Sequence, residues 1–225
     1  MKRERALRLG AGRTLLVAAV ILVGSTAALG QGSSTMSIDI AALAPNLEPE
    51  FTAGRTGQGA PAQWRVVADP TAVDGRAIAQ ASTDRTDYRF PLAIYQPYSG
   101  RNLDASVRFK PVSGTVDQAG GIAVRLQTPD DYYVVRANAL EDNVRFYRVV
   151  NGRREQLAGA SAKVAGNTWH TLGLRAEGDR FTVSYDGKEL FSARDATFRD
   201  AGKVALWTKA DSVTHFDTIA IKPLG

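Results

Sequence analysis

Two hairpin turns constrain the fold of this chain more than any other feature of its sequence. Asn151-Gly152 and Asp186-Gly187 each stand between runs of alternating apolar and polar residues. Tight two-residue hairpin turns need a positive φ at both central positions, which Asn, Asp and Gly adopt at least cost. Runs of strand length follow one another from residue 64 to residue 221, without a useful stretch of helical periodicity. The sequence therefore predicts an all-β domain. A further hairpin is expected near the end of the chain, where a short polar turn joins the runs 203–208 and 213–221.

Alternation along these runs sorts the side chains onto two faces, as expected of an antiparallel two-sheet β-sandwich in which one face of a sheet is solvated. In the run 132–138, Tyr133 and Val135 face one way while Arg136 faces the other. We expect the polar face to form one water-facing surface. Its predicted ligand-binding members are Arg125, Arg136, Asn138, Trp207 and Lys209. The runs are 64–68, 76–81, 102–110, 121–127, 132–138, 144–150, 169–176, 180–185, 203–208 and 213–221.

The start of the chain has the form of a signal peptide. A basic segment precedes the apolar run 15–23, and small residues follow it. The run is far shorter than the roughly 20 residues that span a bilayer. We therefore expect cleavage near Gly30, or at Ala27 or Ala28, rather than a retained membrane anchor. This predicts an exported protein, periplasmic or extracellular, with no stable membrane insertion after the leader, residues 1–30, is removed.

Charge and composition exclude several classes of function. The chain has 28 basic and 23 acidic residues, but five of the basic residues and one of the acidic ones fall in residues 1–30. The rest is nearly neutral, so nucleic acid is not an expected partner. The absence of cysteine excludes disulfides and thiolate metal sites. We expect no cofactor. Residues 31–60, rich in Gly, Ala and Pro, are predicted to be an irregular segment before a domain of residues 61–225.

Several motifs of this domain, which together cover about residues 60–222, carry a resemblance to a known superfamily. They resemble the concanavalin A-like lectin and glucanase jelly-roll superfamily, and are nearest to the bacterial exported domains grouped as 3-keto-disaccharide hydrolases. The resemblance implies a jelly-roll β-sandwich whose concave sheet faces a carbohydrate or glycan ligand. It also places Arg125 where the family has an arginine. The motifs are Gly121-Ile-Ala-Val-Arg125, Tyr132-Tyr-Val-Val135, Asp186-Gly-Lys-Glu-Leu-Phe191 and Gly202-Lys-Val-Ala-Leu206.

Two functions remain open on the sequence alone. In the first, the domain binds a glycan, and Trp207 stacks on the apolar face of a sugar ring. In the second, it hydrolyses a glycoside or 3-keto-glycoside, and Glu141, at a hairpin tip near Arg136, is the candidate catalytic acid or base. The Glu-x-Asp-x-x-Glu signature of laminarinase-like glycosidases is absent. This absence, with no clear pair of carboxylates, favours binding over hydrolysis.

Other polar residues have plain structural interpretations. His170 and His215 could be a general base and its helper, but a lone histidine on a strand is more often a structural donor. Asp217 is a weak candidate ligand for a structural calcium ion, because Ca²⁺ needs six to eight oxygens and no dense acidic loop surrounds it. Trp64 and Trp169, at strand starts, are interpreted as core residues.

Overall fold

The computed structural model describes residue 1 and residues 34–225. Apart from Met1, the predicted signal peptide lies outside the described residues, so its cleavage and the export of the protein stay predictions. In the described part of the chain, no helix is both long and apolar enough to cross a membrane.

Residues 34–225 form two antiparallel sheets. Sheet A has the strand order β13-β12-β11-β6-β15-β4-β3, with β1 also paired to β15, and sheet B has the order β10-β9-β8-β7-β14-β5-β2. One 3₁₀ helix, Ile40–Ala42, lies between β1 and β2. The strands are β1 (Met36–Ser37), β2 (Phe51–Gly57), β3 (Trp64–Ala68), β4 (Arg76–Gln80), β5 (Arg89–Gly100), β6 (Leu103–Ser113), β7 (Ala119–Thr128), β8 (Asp131–Asn138), β9 (Asn143–Val150), β10 (Arg153–Ser161), β11 (His170–Glu177), β12 (Arg180–Tyr185), β13 (Lys188–Arg194), β14 (Gly202–Trp207) and β15 (Val213–Pro223).

The main hydrophobic core contains buried residues of both sheets. On β6, Leu103 and Phe109 point into it, with the alternation predicted from the sequence. Tyr133 of sheet B meets Phe181 of sheet A at a ring-centroid distance of 4.5 Å. Burying a large apolar side chain contributes about 1.5–3 kcal/mol, so this shared layer is the main favourable term in the stability of the domain. The predicted all-β sandwich is confirmed.

Both predicted hairpin turns are present. Asn151 and Gly152 join β9 to β10 with φ values of 48° and 74°, and Asp186 and Gly187 join β12 to β13 with φ values of 46° and 77°. Positive φ at both central positions matches the twist of the flanking strands. The register of sheet B at its β10 edge is set by the first of these turns, because Arg153 pairs with Val150 directly after it.

Three features of the fold differ from the sequence-based expectation. The segment 31–60 is not irregular throughout, since it contains β1 and β2, and β2 forms one edge of sheet B. Strand β5 was not among the predicted runs, although it is 12 residues long. Strands β14 and β15, adjacent in sequence, do not pair with each other: β14 lies in sheet B and β15 in sheet A.

A β-bulge interrupts β7 near its end. Ala123 pairs with Ala205 of β14, and a regular ladder would then place Arg125 opposite Lys203, but Leu126 takes that position instead. Arg125 has a φ of 49° at this point. An extra residue reverses the alternation beyond it. Leu126 therefore faces the outside of sheet B, and Arg125 leaves the face predicted for it.

Candidate functional site

The outer face of sheet B, the face turned away from the core, carries a second buried cluster. All its members come from strands of sheet B, and four are aromatic: Phe90, Tyr132, Tyr147 and Trp207. We call these four residues the aromatic cluster. The ring of Trp207 stacks on Phe90 at 5.4 Å, and its Nε1 donates to the hydroxyl of Tyr132 at 3.2 Å. Trp207 is 0% exposed. The prediction that Trp207 offers an open stacking surface is therefore wrong.

Arg154, on the edge strand β10, covers the aromatic cluster. Its guanidinium carbon lies 4.4 Å from the ring centroid of Tyr147, 4.7 Å from that of Phe90 and 5.9 Å from that of Trp207. Cations over aromatic faces are attracted by the ring quadrupole, by about 0.5–2 kcal/mol each. One long side chain thus lies over three of the four rings.

Beside the aromatic cluster lies a group of four hydrogen-bonded side chains, which we call the Arg136 cluster: Arg136, Glu141, Asn143 and Tyr147. The Nη2 of Arg136 lies 2.8 Å from Glu141 Oε2 and 3.2 Å from the Tyr147 hydroxyl, and its Nη1 donates to Asn143 Oδ1. Asn143 Nδ2 donates to the same Glu141 oxygen at 3.0 Å. Arg136 is buried, whereas the Glu141 side chain is 45% exposed. A fixed carboxylate is therefore presented to water.

The environment of Glu141 favours its ionised form. Partial burial alone would raise its pKa, but the hydrogen bonds from Asn143 and Arg136 outweigh burial and hold the pKa of Glu141 below its ordinary value. Gly121, on β7 opposite Arg136, leaves room for this arrangement, since a Cβ there would lie 3.1 Å from Arg136 Cβ and 2.5 Å from the Val135 carbonyl oxygen.

A buried ion pair continues the polar row on this face. Asp117 accepts from Asn138 Nδ2 at 2.9 Å and lies 3.0 Å from Lys209 Nζ, which also contacts Asp87 at 2.6 Å. Burial raises the pKa of Asp117 above its ordinary value, although Lys209 and Arg136 act in the opposite direction. Glu141 adds to this rise, so the two carboxylates interact through the same face.

Asp211 positions Asp117 by holding the loop before β7. Its carboxylate accepts from the backbone N–H groups of Thr115 at 2.8 Å, Val116 at 3.0 Å and Asp117 at 3.0 Å. Burial alone would raise the pKa of Asp211, but these backbone donors lower it overall. A carboxylate that satisfies three backbone donors has a structural role.

Of the predicted ligand-binding residues, the structure brings together Arg136, Asn138 and Lys209 with Glu141, and places Trp207 on the same face in the aromatic cluster. Arg125 is the exception. Its guanidinium donates to the carbonyl oxygens of Arg101, Phe198 and Gly178 at 2.7–3.0 Å, and it lies 5.0 Å from the Phe181 ring centroid. Since Arg125 is 1% exposed with every contact inside the protein, we correct its predicted place on the ligand face.

The remaining candidates belong to sheet A. His170 Nδ1 lies 2.9 Å from Asp186, and His215 Nδ1 lies 2.7 Å from Asp69, so each histidine has a separate carboxylate partner. Asp217 accepts from the backbone of Val73 at 3.0 Å and pairs with Arg108 at 3.4 Å. Within residue 1 and residues 34–225, no group of three or more His, Cys, Asp or Glu residues could hold a metal ion.

Trp64 and Trp169 have different environments. Trp64 is a core residue, 9% exposed, with its ring 5.9 Å from that of Phe216. Trp169 is not in the core: it is half-buried against Arg108 and Lys110, and its Nε1 donates to Thr71 Oγ1 at 2.9 Å.

Sequence reasoning missed Asp117, Tyr147 and Arg154. Alternation along β9, in which Phe146 points inward, would have placed Tyr147 on the same face as Arg136. Asp117 lies in a loop, where no periodicity shows the direction of a side chain. Arg154 is in a polar run on an edge strand, which resembles ordinary solvated surface.

The molecule thus belongs to the class of antiparallel two-sheet β-sandwiches, with a polar and aromatic arrangement on the outer face of one sheet. The carbohydrate-binding module CBM66 from Bacillus subtilis has a TM-score of 0.60 and 20% sequence identity, over 77% of this chain and 97% of that chain. Domain 4 of AbnA, a GH43 extracellular arabinanase from Geobacillus stearothermophilus, solved in complex with arabinotriose, has a TM-score of 0.55 and 14% identity, over 85% and 91%.

A protein of unknown function with a galectin-like fold, also from Bacillus subtilis, has a TM-score of 0.54 and 8% identity, over 76% of this chain and 88% of that chain. At such identities the likeness shows the fold alone. No protein-family model matches the chain, and no curated protein matches it.

Proposed function

We propose that residues 34–225 form the glycan-binding domain of an exported protein, periplasmic or extracellular, and that the sugar binds on the outer face of sheet B at the Arg136 cluster. The observation that carries this proposal is the fixed, half-exposed carboxylate of Glu141. Carbohydrate hydroxyls are donors and acceptors in close spacing, and a carboxylate beside an amide and a guanidinium complements them.

Preorganisation is the physical reason to expect useful affinity. Arg136 and Asn143 hold Glu141 before any ligand arrives, and the Tyr147 hydroxyl accepts from Arg136, so little side-chain freedom is lost on binding. An open depression beside Glu141 provides the space, and it is lined by Glu141, Asn143, Arg145, Gln156 and the small residues 159–161. A few placed polar groups in a concavity are typical of a small-ligand site.

The similar structures support the same class of ligand. One is named a carbohydrate-binding module, and another contains arabinotriose. Both share the sandwich architecture with this chain, and the polar face described above supplies residues for such a role here. The particular sugar is left to experiment.

The test is a glycan array, followed by calorimetric titration of each sugar that binds. We expect Glu141→Gln to weaken binding about 10- to 100-fold, because hydrogen bonds to a charged group contribute about 1.5–3 kcal/mol. Glu155→Gln is the matched control: Glu155 pairs with Arg148 at 2.8 Å, the same distance as in the Arg136–Glu141 pair, but it is not in the Arg136 cluster. Equal affinities for both variants would exclude the Arg136 cluster, and a wild type that binds no glycan would exclude the function.

A second candidate function rests on Asp117 and Glu141. Two interacting carboxylates whose pKa values shift in opposite directions are the usual arrangement for acid and base roles in glycoside chemistry. Hydrolysis of a glycoside or 3-keto-glycoside would show as release of reducing or keto sugars from a substrate panel. Glu141→Gln and Asp117→Asn would each abolish this release, whereas retained release in both variants would exclude the pair.

A further inference from the structure

Three arginines face outward from neighbouring strands at the β10 edge of sheet B. Arg136 of β8 pairs directly with Arg145 of β9, so two like charges stand opposite each other. Such a pair is unfavourable unless other groups compensate it. Arg154 of β10 adds a third guanidinium on the far side of Tyr147.

Only one of the three arginines has a direct ion pair. Glu141 forms an ion pair with Arg136. In the part of the chain that the structure describes, no carboxylate lies within 4.0 Å of the guanidinium of Arg145 or Arg154. The Nη1 of Arg145 donates at 2.6 Å to the amide oxygen of Gln156, which is neutral. The two arginines therefore carry positive charge with no directly paired carboxylate, although the charge of Arg145 also helps to lower the pKa of Glu141.

Both uncompensated arginines also have a nitrogen without a hydrogen-bond partner. Arg145 Nε and Arg154 Nη1 are buried, and neither donates to any described group. Leaving a buried donor unsatisfied is unfavourable, and more so when the group is charged. Native structures rarely keep such donors without a reason, and a ligand acceptor that a rotation of the side chain brings within reach is one.

The strand opposite Arg145 leaves space for a ligand. Gly159 pairs with Arg145, and a Cβ at that position would lie only 3.1 Å from Arg145 Cγ. Ala160 and Ser161 follow, so the depression beside Glu141 is bordered by small side chains on the β10 side.

We propose that the ligand is an anionic glycan, and that its acidic substituent binds to Arg145, with Arg154 adding to the positive field beyond Tyr147. This inference rests on the proposed function, since Glu141 and Asn143 contact the hydroxyls of the same sugar. The planar guanidinium has donors spaced to bind a carboxylate or a sulfate through two hydrogen bonds. Glu141 does not repel the substituent strongly, because Arg136 neutralises it.

The experiment compares charged and neutral forms of the same sugars by calorimetric titration. The probes are trimers of galacturonate, glucuronate and mannuronate, each with its methyl-esterified form, and a sulfated trisaccharide with its desulfated form. We expect the wild type to bind an acidic form about 10- to 100-fold more tightly than its neutral partner. The uronate and sulfate arms show which acid is recognised.

Three variants test whether Arg145 is the origin of this preference. Arg145→Gln should abolish the preference for the acidic form, because it should lower the affinity for the acidic form much more than the affinity for the neutral form. Arg145→Lys, which keeps the charge but not the planar fork, should keep part of the preference, and it serves if the glutamine variant does not fold. Arg65→Gln removes an equal charge from an exposed position of β3 in sheet A, and it should leave the preference unchanged.

Each outcome has a distinct meaning. Equal binding of charged and neutral forms by the wild type would overturn this inference and leave the proposed function standing. Equal losses in Arg145→Gln and Arg65→Gln would also overturn it, because they would indicate non-specific attraction of a polyanion. Binding to none of these sugars, nor to any on the array, would overturn both proposals.

Discussion

At the scale of single residues, the ring of Trp207 contacts neighbouring side chains but not solvent. Phe90 stacks on it, Tyr132 accepts its indole N–H, and Arg154 lies above the group. A tryptophan in this position contributes to stability through buried area and ring packing. Any effect of Trp207 on ligand binding would therefore pass through the aromatic cluster.

Replacement of Trp207 should accordingly cost stability. We expect Trp207→Ala to lower the free energy of unfolding by about 3–5 kcal/mol, because it leaves a large cavity in a packed cluster. Urea denaturation monitored by far-UV circular dichroism measures this loss. Trp169→Ala is the control, since Trp169 is half-buried at the surface of sheet A and its removal should cost clearly less. A small loss for Trp207→Ala, equal to that of the control, would contradict the burial described here.

At the scale of elements, the connection between β6 and β7 shows how a loop without regular structure can hold a side chain in a fixed position. Asp211, beyond the end of β14, binds three consecutive backbone N–H groups of residues 115–117. Asp117 is thereby directed to Asn138 and Lys209. The polar face of sheet B thus depends on a contact between two loops as well as on its strands.

Loss of this anchor should loosen the loop selectively. Asp211→Ala leaves the three backbone donors without their acceptor, and we expect about 2–3 kcal/mol of destabilisation. Amide hydrogen exchange at residues 115–117 should accelerate, while exchange in the core strand β6 follows only the global change. Asp217→Ala, which removes another buried carboxylate that accepts a backbone bond, should leave exchange at residues 115–117 protected. Protection that survives Asp211→Ala would show that the loop is held by other contacts.

Strand alternation explains both the success and the failure of prediction at this scale. It predicted the face of sheet B on which Arg136 and Asn138 lie, because β8 is regular over its whole length, but the predicted exposure to water is wrong, since both residues are buried. It failed for Arg125, because a bulge is one inserted residue that leaves no clear mark on an apolar and polar pattern. Strand β5 was missed for another reason: Pro91 and Pro97 lie within it, and proline argues against a strand that pairs on both sides.

At the scale of the whole molecule, the two sheets have different outer faces. Sheet B bears the aromatic cluster and the row of charged groups beside it. Sheet A bears a set of satisfied ion pairs, in which Asp69 contacts both Lys110 at 2.5 Å and His215 at 2.7 Å. The alternation of apolar and polar residues predicted the sandwich. The difference between the two outer faces depends instead on contacts such as these, between residues that are distant in sequence.

The Asp69 contacts make stability depend on pH. Burial alone would raise the pKa of Asp69, but hydrogen bonds from Lys110, His215 and Thr71 outweigh it and hold the pKa well below its ordinary value. A carboxyl group whose pKa is lower in the folded state stabilises the fold above its unfolded pKa of about 3.9, and loses this contribution as pH falls towards the folded value.

We therefore expect Asp69→Asn to lower the free energy of unfolding by about 1–3 kcal/mol at pH 7. The difference from the wild type should shrink as the pH falls below about 4. Urea denaturation at pH 7, 5 and 3 measures it, with Asp200→Asn, at an exposed carboxylate, as control. A difference that stays constant across this range would show that the ionised Asp69 is not the origin of the effect.

The position of Arg154 has a consequence for how copies of this protein meet one another. Without Arg154, three aromatic rings on one face would form an exposed hydrophobic patch, and such patches promote self-association. Arg154 places a cation over these rings, so two approaching molecules repel each other there instead of associating. The same side chain that hides the rings thus favours colloidal stability in a crowded aqueous space.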